Sequence, residues 1–181
     1  MNAILDTTVV DQKRASELAR EGFDLWQAGQ LEESVPKYHE ALRLADPDHY
    51  ALADYHGEFA AVLATLGRDA EALQQYRQAL QISIQQNPEE AGLDVAVARY
   101  FLSEHLLKMN EPEEALIAIE PVLRSQVQWL AHVVKADALL RVGRREEART
   151  AAGLAVELAA SDEKRANIRK RLAHILKLES G

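Results

Sequence analysis

ADYHGEFAAVLATLGRDAEALQQYRQAL, residues 53–80, carries a helical pattern that stops at a glycine and restarts at once. Phe59, Ala60 and Leu63, in line with His56, share one face of the first half, and Ala72, Tyr76 and Ala79 share one face of the second. Gly67 separates the two stripes, at a place where the chain must reverse. That is a helical hairpin. The pattern recurs three more times along the chain, so a repeat architecture is the first reading to pursue.

Aligning the four units fixes the register. A small residue stands at Gly22, Ala60, Ser103 and Ala136, with an apolar one three further on at Leu25, Leu63, Leu106 and Leu139. The turn falls at Gly29, Gly67, Asn110 and Gly143. Second helices carry Ser34, Ala72, Ala115 and Ala148, then Ala41, Ala79, Val122 and Ala155. Between these the aromatic is kept as Tyr38 and Tyr76 and gives way to Ile119 and Ala152. Small residues let paired helices approach closely, and Gly or Asn enters a left-handed turn at little cost.

Over roughly residues 15–160 these positions resemble the tetratricopeptide repeat, although Glu21 and Lys135 stand where that family has Leu. The resemblance implies an all-α fold: a right-handed superhelical array of four tetratricopeptide-like hairpins plus a C-terminal capping helix, about nine helices in total. The expected divisions are a lead-in over 1–10, repeats at about 11–47, 48–88, 89–125 and 126–160, and a capping helix with its tail over 161–181. Thr7, Thr8 or Asp11 caps the first helix. Pro36 is expected to distort the second helix locally and Pro121 to kink the sixth, whereas Pro112 suits the first position of a helix. Asn87-Pro88 ends the second hairpin. Turn-to-turn spacings of 38, 43 and 33 residues depart from the period of about 34, so the array is expected to be irregular. In the last segment Ser161 or Asp162 caps a helix with Ile168, Leu172, Ile175 and Leu176 on one face, covering the end of the array.

Composition narrows the function classes. With 28% charged and 48% hydrophobic residues the 181-residue chain has enough apolar surface to fold as a soluble protein. A net charge of -8 argues against nucleic acid and anionic membrane as partners, since both require excess Lys and Arg. Cysteine is absent, which excludes disulfides, thiol catalysis and thiolate metal sites and suits a reducing compartment. No apolar run has the length of a membrane span, and the first residues lack the pattern of a secretory signal; the expected location is cytoplasmic.

The resemblance also points to a working face. In tetratricopeptide arrays the first helices line a concave surface, and by this register it would show Ser16, Ala19, Phe23, Trp26 and Gln27, then Asp54, Gly57, Glu58, Ala61 and Thr65. Further on it would show Val97, Tyr100, Phe101, Glu104 and Lys108, then Leu130, Val133, Asp137 and Arg141. The candidate partner-binding residues are therefore Phe23, Trp26, Asp54, Glu58, Tyr100, Phe101, Glu104, Lys108, Asp137 and Arg141. Aromatic and acidic in character, this face suits a protein or peptide ligand with apolar and basic residues. Packing between helices is the competing reading for the aromatics, and a solvated helix face for the carboxylates. The family's Lys, Asn and Arg clamp for a terminal carboxylate has no counterpart here, where Ala19, Phe23, Glu58, Val97 and Phe101 occupy the corresponding surface.

Nothing in the sequence points to catalysis, a cofactor or a metal. The histidines His39, His49, His56, His105, His132 and His174 show no ligand spacing; Asp46, Asp48, His49, Asp54 and His56 offer metal-ligand types, but nothing fixes their geometry and a capped acidic turn explains them equally well. Glu32-Glu33, Glu113-Glu114 and Glu146-Glu147 lie in first turns, where the helix dipole favours them. The basic run Lys164, Arg165, Arg169, Lys170 and Arg171 either solvates the cap or meets an acidic surface of the array, RNA or a second subunit, a homodimer being one outcome. The expected function is that of a non-catalytic interaction module, an adaptor or scaffold holding a partner's peptide or helix in its concave groove. The alternatives are a dedicated binder, such as a secretion chaperone or toxin-neutralising immunity protein, and a peptide-sensing regulator.

Overall fold

The computed structural model describes residues 9–87 and 92–177, so the Thr7 and Thr8 caps, the Pro88 half of the turn and the last four residues lie outside it. The described residues are helical apart from turns, with no strand among them. The chain divides into two compact units, Met1–Ile82 and Ser83–Gly181.

In the first unit α1 (Gln12–Gln27) pairs with α2 (Leu31–Leu44), and α3 (Leu52–Thr65) is followed by α4 (Asp69–Gln86), whose last residues pass into the second unit. Asp11 caps α1 by accepting from the Arg14 amide at 3.0 Å. The small residues of the repeat do what their size suggests. Gly22 lies against the Tyr38 ring, and Ser34 donates a 2.8 Å hydrogen bond to the Gly22 carbonyl, so its hydroxyl is satisfied although fully buried. Tyr38 then stacks on Phe59 of α3 with ring centroids 5.7 Å apart, which joins the first hairpin to the second. α2 runs through Pro36 without a break, the exposed ring costing one backbone hydrogen bond instead of the helix.

The second unit contains α5 (Leu93–Lys108), α6 (Pro112–Ile119), a 3-10 helix (Glu120–Arg124), α7 (Gln128–Arg141), α8 (Arg145–Glu157), α9 (Asp162–Arg171) and α10 (Ala173–Leu176). Pro112 begins α6 as its fixed φ favours. Pro121 does more than kink the helix: α6 ends at Ile119 and the chain tightens into the 3-10 turn, which dispenses with the i−4 bond that proline cannot donate. The cap is one piece in sequence and two in space. Ser161 accepts from the Lys164 amide to start α9, and the chain breaks at Leu172 before α10, giving ten α-helices among the described residues. Ile168, Leu172 and Ile175 from the cap pack with Val133, Ala136, Leu139, Ala148, Ala151 and Ala155 of α7 and α8. Each of the three large side chains contributes about 2 kcal/mol by leaving water.

All four hairpin turns close in the same way. Gly29, Gly67, Asn110 and Gly143 have φ of 77°, 75°, 62° and 82°. The following amide in each case bonds the carbonyl of the repeat leucine: Gln30 to Leu25, Arg68 to Leu63, Glu111 to Leu106 and Arg144 to Leu139, all at 2.9 Å. This is a Schellman closure, and it explains why Gly or Asn recurs there.

Candidate functional site

The second unit brings three of the expected residues onto one atom group. Tyr100 and Glu104 stand one turn apart on α5, and Asp137 projects from α7. Glu104 and Asp137 occupy the same place in their repeats, each directly after the small residue, Ser103 or Ala136. Arg171, the last residue of α9, reaches all three: Nη2 donates to Glu104 at 2.7 and 2.9 Å and to Asp137 at 3.0 Å, and Nη1 donates to the Tyr100 hydroxyl at 3.2 Å. Burial works against the guanidinium's charge, but the hydrogen bonds to Glu104 and Asp137 and the charge of Glu104 outweigh it and hold the group above the ordinary arginine range. Burial, reinforced by the Glu104 charge, also pushes the Tyr100 phenol up. His174 Nε2 lies 4.0 Å from Oδ1 of Asp137, and Arg171 bonds the other carboxylate oxygen, Oδ2. Phe101 meets Tyr100 edge to face at 5.4 Å and is 49% exposed.

In the first unit the face of α1 carries a comparable aromatic pair. Phe23 and Trp26 meet edge to face at 5.7 Å, with Phe23 37% exposed. Neither Phe23 nor Phe101 is sealed between helices, which is the condition their reading as contact residues required. On α3 Asp54 is exposed and Glu58 half-buried, its carboxylate accepting from the Tyr38 hydroxyl at 3.1 Å. Burial raises the Glu58 pKa; the hydrogen bond from Tyr38 opposes the shift and nearby Asp54 adds to it.

Other members of the expected face are engaged otherwise. Ala19 and Val133 are buried, because small and β-branched residues on this edge pack into the neighbouring helix instead of facing outward. Arg141 donates to the Leu107 carbonyl at the C-terminal end of α5, a position where a cation complements the helix dipole. Lys108 is exposed at that same end. Of the basic run, Lys164 lies over the Trp129 ring at 5.3 Å and Arg165 pairs with Asp162, while Arg171 meets the acidic residues of α5 and α7. The sequence signal for Arg171 is its place three residues after Ile168 and directly before Leu172, on the border of the cap's apolar stripe.

A sequence profile described as tetratricopeptide repeat matches residues 14–85, the span holding the first two hairpins and their left-handed turns. Over that span the sequence is that of tetratricopeptide repeats, and the chain has the fold of solved tetratricopeptide repeat proteins. Its fold is shared with a putative kinesin light chain of nearly identical TPR-like repeats from Podosopora anserina, at 15% identity over 92% of this chain and 87% of that one, TM-score 0.72. It is also similar to MamA 41-end from Desulfovibrio magneticus RS-1, at 17% identity over 91% and 94% of the two chains, TM-score 0.65. A MamA RS-1 ArsTM double mutant matches at 20% identity over 90% and 83%, TM-score 0.68. At these identities the likeness concerns the fold. No curated protein matches the chain.

Tetratricopeptide repeats are in general protein–protein interaction modules, and the match over residues 14–85 supports that general role. Among the described residues no group of His, Asp and Glu is arranged to hold a metal ion, and no helix is long and apolar enough to cross a membrane.

Proposed function

We propose that this protein is an adaptor that holds a peptide or helix of a partner protein along the first-helix faces of its hairpins. The partner supplies apolar residues and arginine. One observation carries the reading: the face formed by α5 and α7 already holds an arginine between Tyr100, Glu104 and Asp137, with half-exposed Phe101 beside it. Two carboxylates at equivalent repeat positions recognise a planar cation in a way a plain solvated face does not, and an exposed aromatic next to them supplies an anchor. The Phe23 and Trp26 pair supports a like role for the face of α1. A chain without cysteine suits work in the cytoplasm.

The test is a pull-down from native lysate with mass spectrometry, using wild type beside a Tyr100→Ala, Glu104→Lys double variant of confirmed helicity. An abundant partner captured by wild type and lost in the variant supports binding through α5 and α7. Partners that survive the change place the contact elsewhere.

A further inference from the structure

We propose that Arg171 is an intramolecular block on this face: its guanidinium stands where a partner's arginine would bind, and that arginine enters only when the Arg171 side chain swings out. The inference rests on the peptide-binding reading above and goes further by naming what controls it. The acceptors come from successive first helices, whereas the donor comes from the cap, 67 residues from Glu104 and 34 from Asp137. The block is thus supplied by a segment outside the hairpins it closes.

Its anchoring and its blocking are separate. α9 and α10 are held by Ile168, Leu172 and Ile175, all buried against α7 and α8. The Arg171 side chain remains 37% exposed and Glu104 28%, so water reaches the contact. Ion pairs of that exposure contribute little to stability, and a side chain can leave one without moving the helix beneath it. The exchange also selects its partner. An incoming guanidinium returns a planar donor set to both carboxylates; an apolar side chain leaves them unpaired, and a lysine offers only a compact charge.

The probe is the acetylated, amidated tripeptide Gly-Arg-Gly with its uncharged citrulline counterpart, titrated by NMR against the full chain. The proteins are wild type, Arg171→Met, which keeps most of the aliphatic stem, and Arg171→Met with Glu104→Gln; Arg171→Gln runs in parallel as a second opening substitution. The expected result is about fivefold tighter binding of the arginine probe by either opened single variant than by wild type, as a partly exposed ion pair allows. Citrulline should not bind, and added Glu104→Gln should remove the gain. Equal affinity in wild type and opened variants, abolished by Glu104→Gln, overturns the block while leaving the arginine-recognising face intact. Absence of binding by folded opened variants overturns the block and removes the main support for the peptide-binding reading as well. Loss of fold in both opened variants also overturns it, because a replaceable side chain cannot be one that folding requires.

Discussion

A Cβ added at Gly22 would stand 3.0 Å from Cε2 of Tyr38, a ring with no solvent exposure of its own. The ring is pinned from the other side by Phe59 and tethered at its hydroxyl by Glu58, so it has little room to yield. Gly22→Ala is therefore expected to destabilise the first unit by about 1–2 kcal/mol, overpacking outweighing the better helix propensity. Gly153→Ala should do the reverse, gaining about 0.5–1 kcal/mol, since a Cβ there meets nothing within 4 Å. Urea midpoints of the two variants would separate the cases.

The turns give a second contrast. Gly67 sits at φ 75°, where an L side chain costs about 1–2 kcal/mol, so Gly67→Ala should lose about that much. Asn110 adopts the same region with a side chain already present, and Asn110→Gly should gain less than about 1 kcal/mol. Thermal midpoints moving in opposite directions would bear this out; parallel shifts would not.

Glu58 provides a pH signature. Its carboxyl is raised by burial, so the folded state holds the proton more tightly than the unfolded chain does. Stability from this group is present below the ordinary carboxylate range and is lost as pH rises through the raised folded value. Glu58→Gln should therefore stabilise relative to wild type near neutral pH and confer no such gain near pH 3. Equilibrium unfolding of both proteins at the two pH values measures it as a difference, in which the remaining carboxylates cancel.

In the cap, packing and pairing should prove unequal. Leu172 is fully buried, and Leu172→Ala is expected to cost about 2–5 kcal/mol in the second unit. Arg171→Ala should cost about 1 kcal/mol or less, because its pairs are partly exposed. Chemical denaturation monitored by circular dichroism gives both values, and a large loss from Arg171→Ala would contradict the separation of anchor and block.

Most of the helical order was readable from the chain because each repeat position answers a local demand. Gly29, Gly67, Asn110 and Gly143 meet the positive φ of the turn, and Gly22 and Ser34 meet the close approach of two helices. Long-range and competing effects were less legible. Pro36 announces a distortion that the helix absorbs, and Pro121 converts the chain to a 3-10 turn where a kink was expected. Tyr100, Glu104 and Asp137 could be placed on one face by register, but periodicity does not say which cation of the basic run at 164–171 reaches them. That depends on where the apolar stripe of Ile168 and Leu172 seats the helix, a property of the packed unit. The burial of Ala19 and Val133 has the same origin.

The four Schellman closures carry a consequence for how the chain acquires its fold. Each reversal is sealed by a bond spanning six residues, from a repeat leucine carbonyl to the amide just past the turn. Loops so short are closed at small entropic cost, and each hairpin can form before any distant segment arrives. Refolding should accordingly be fast, in the microsecond-to-millisecond range of roughly similar local-contact helical proteins. The cap cannot begin that way, since its apolar stripe has no seat until α7 and α8 have met, so it is expected to dock after that hairpin has formed.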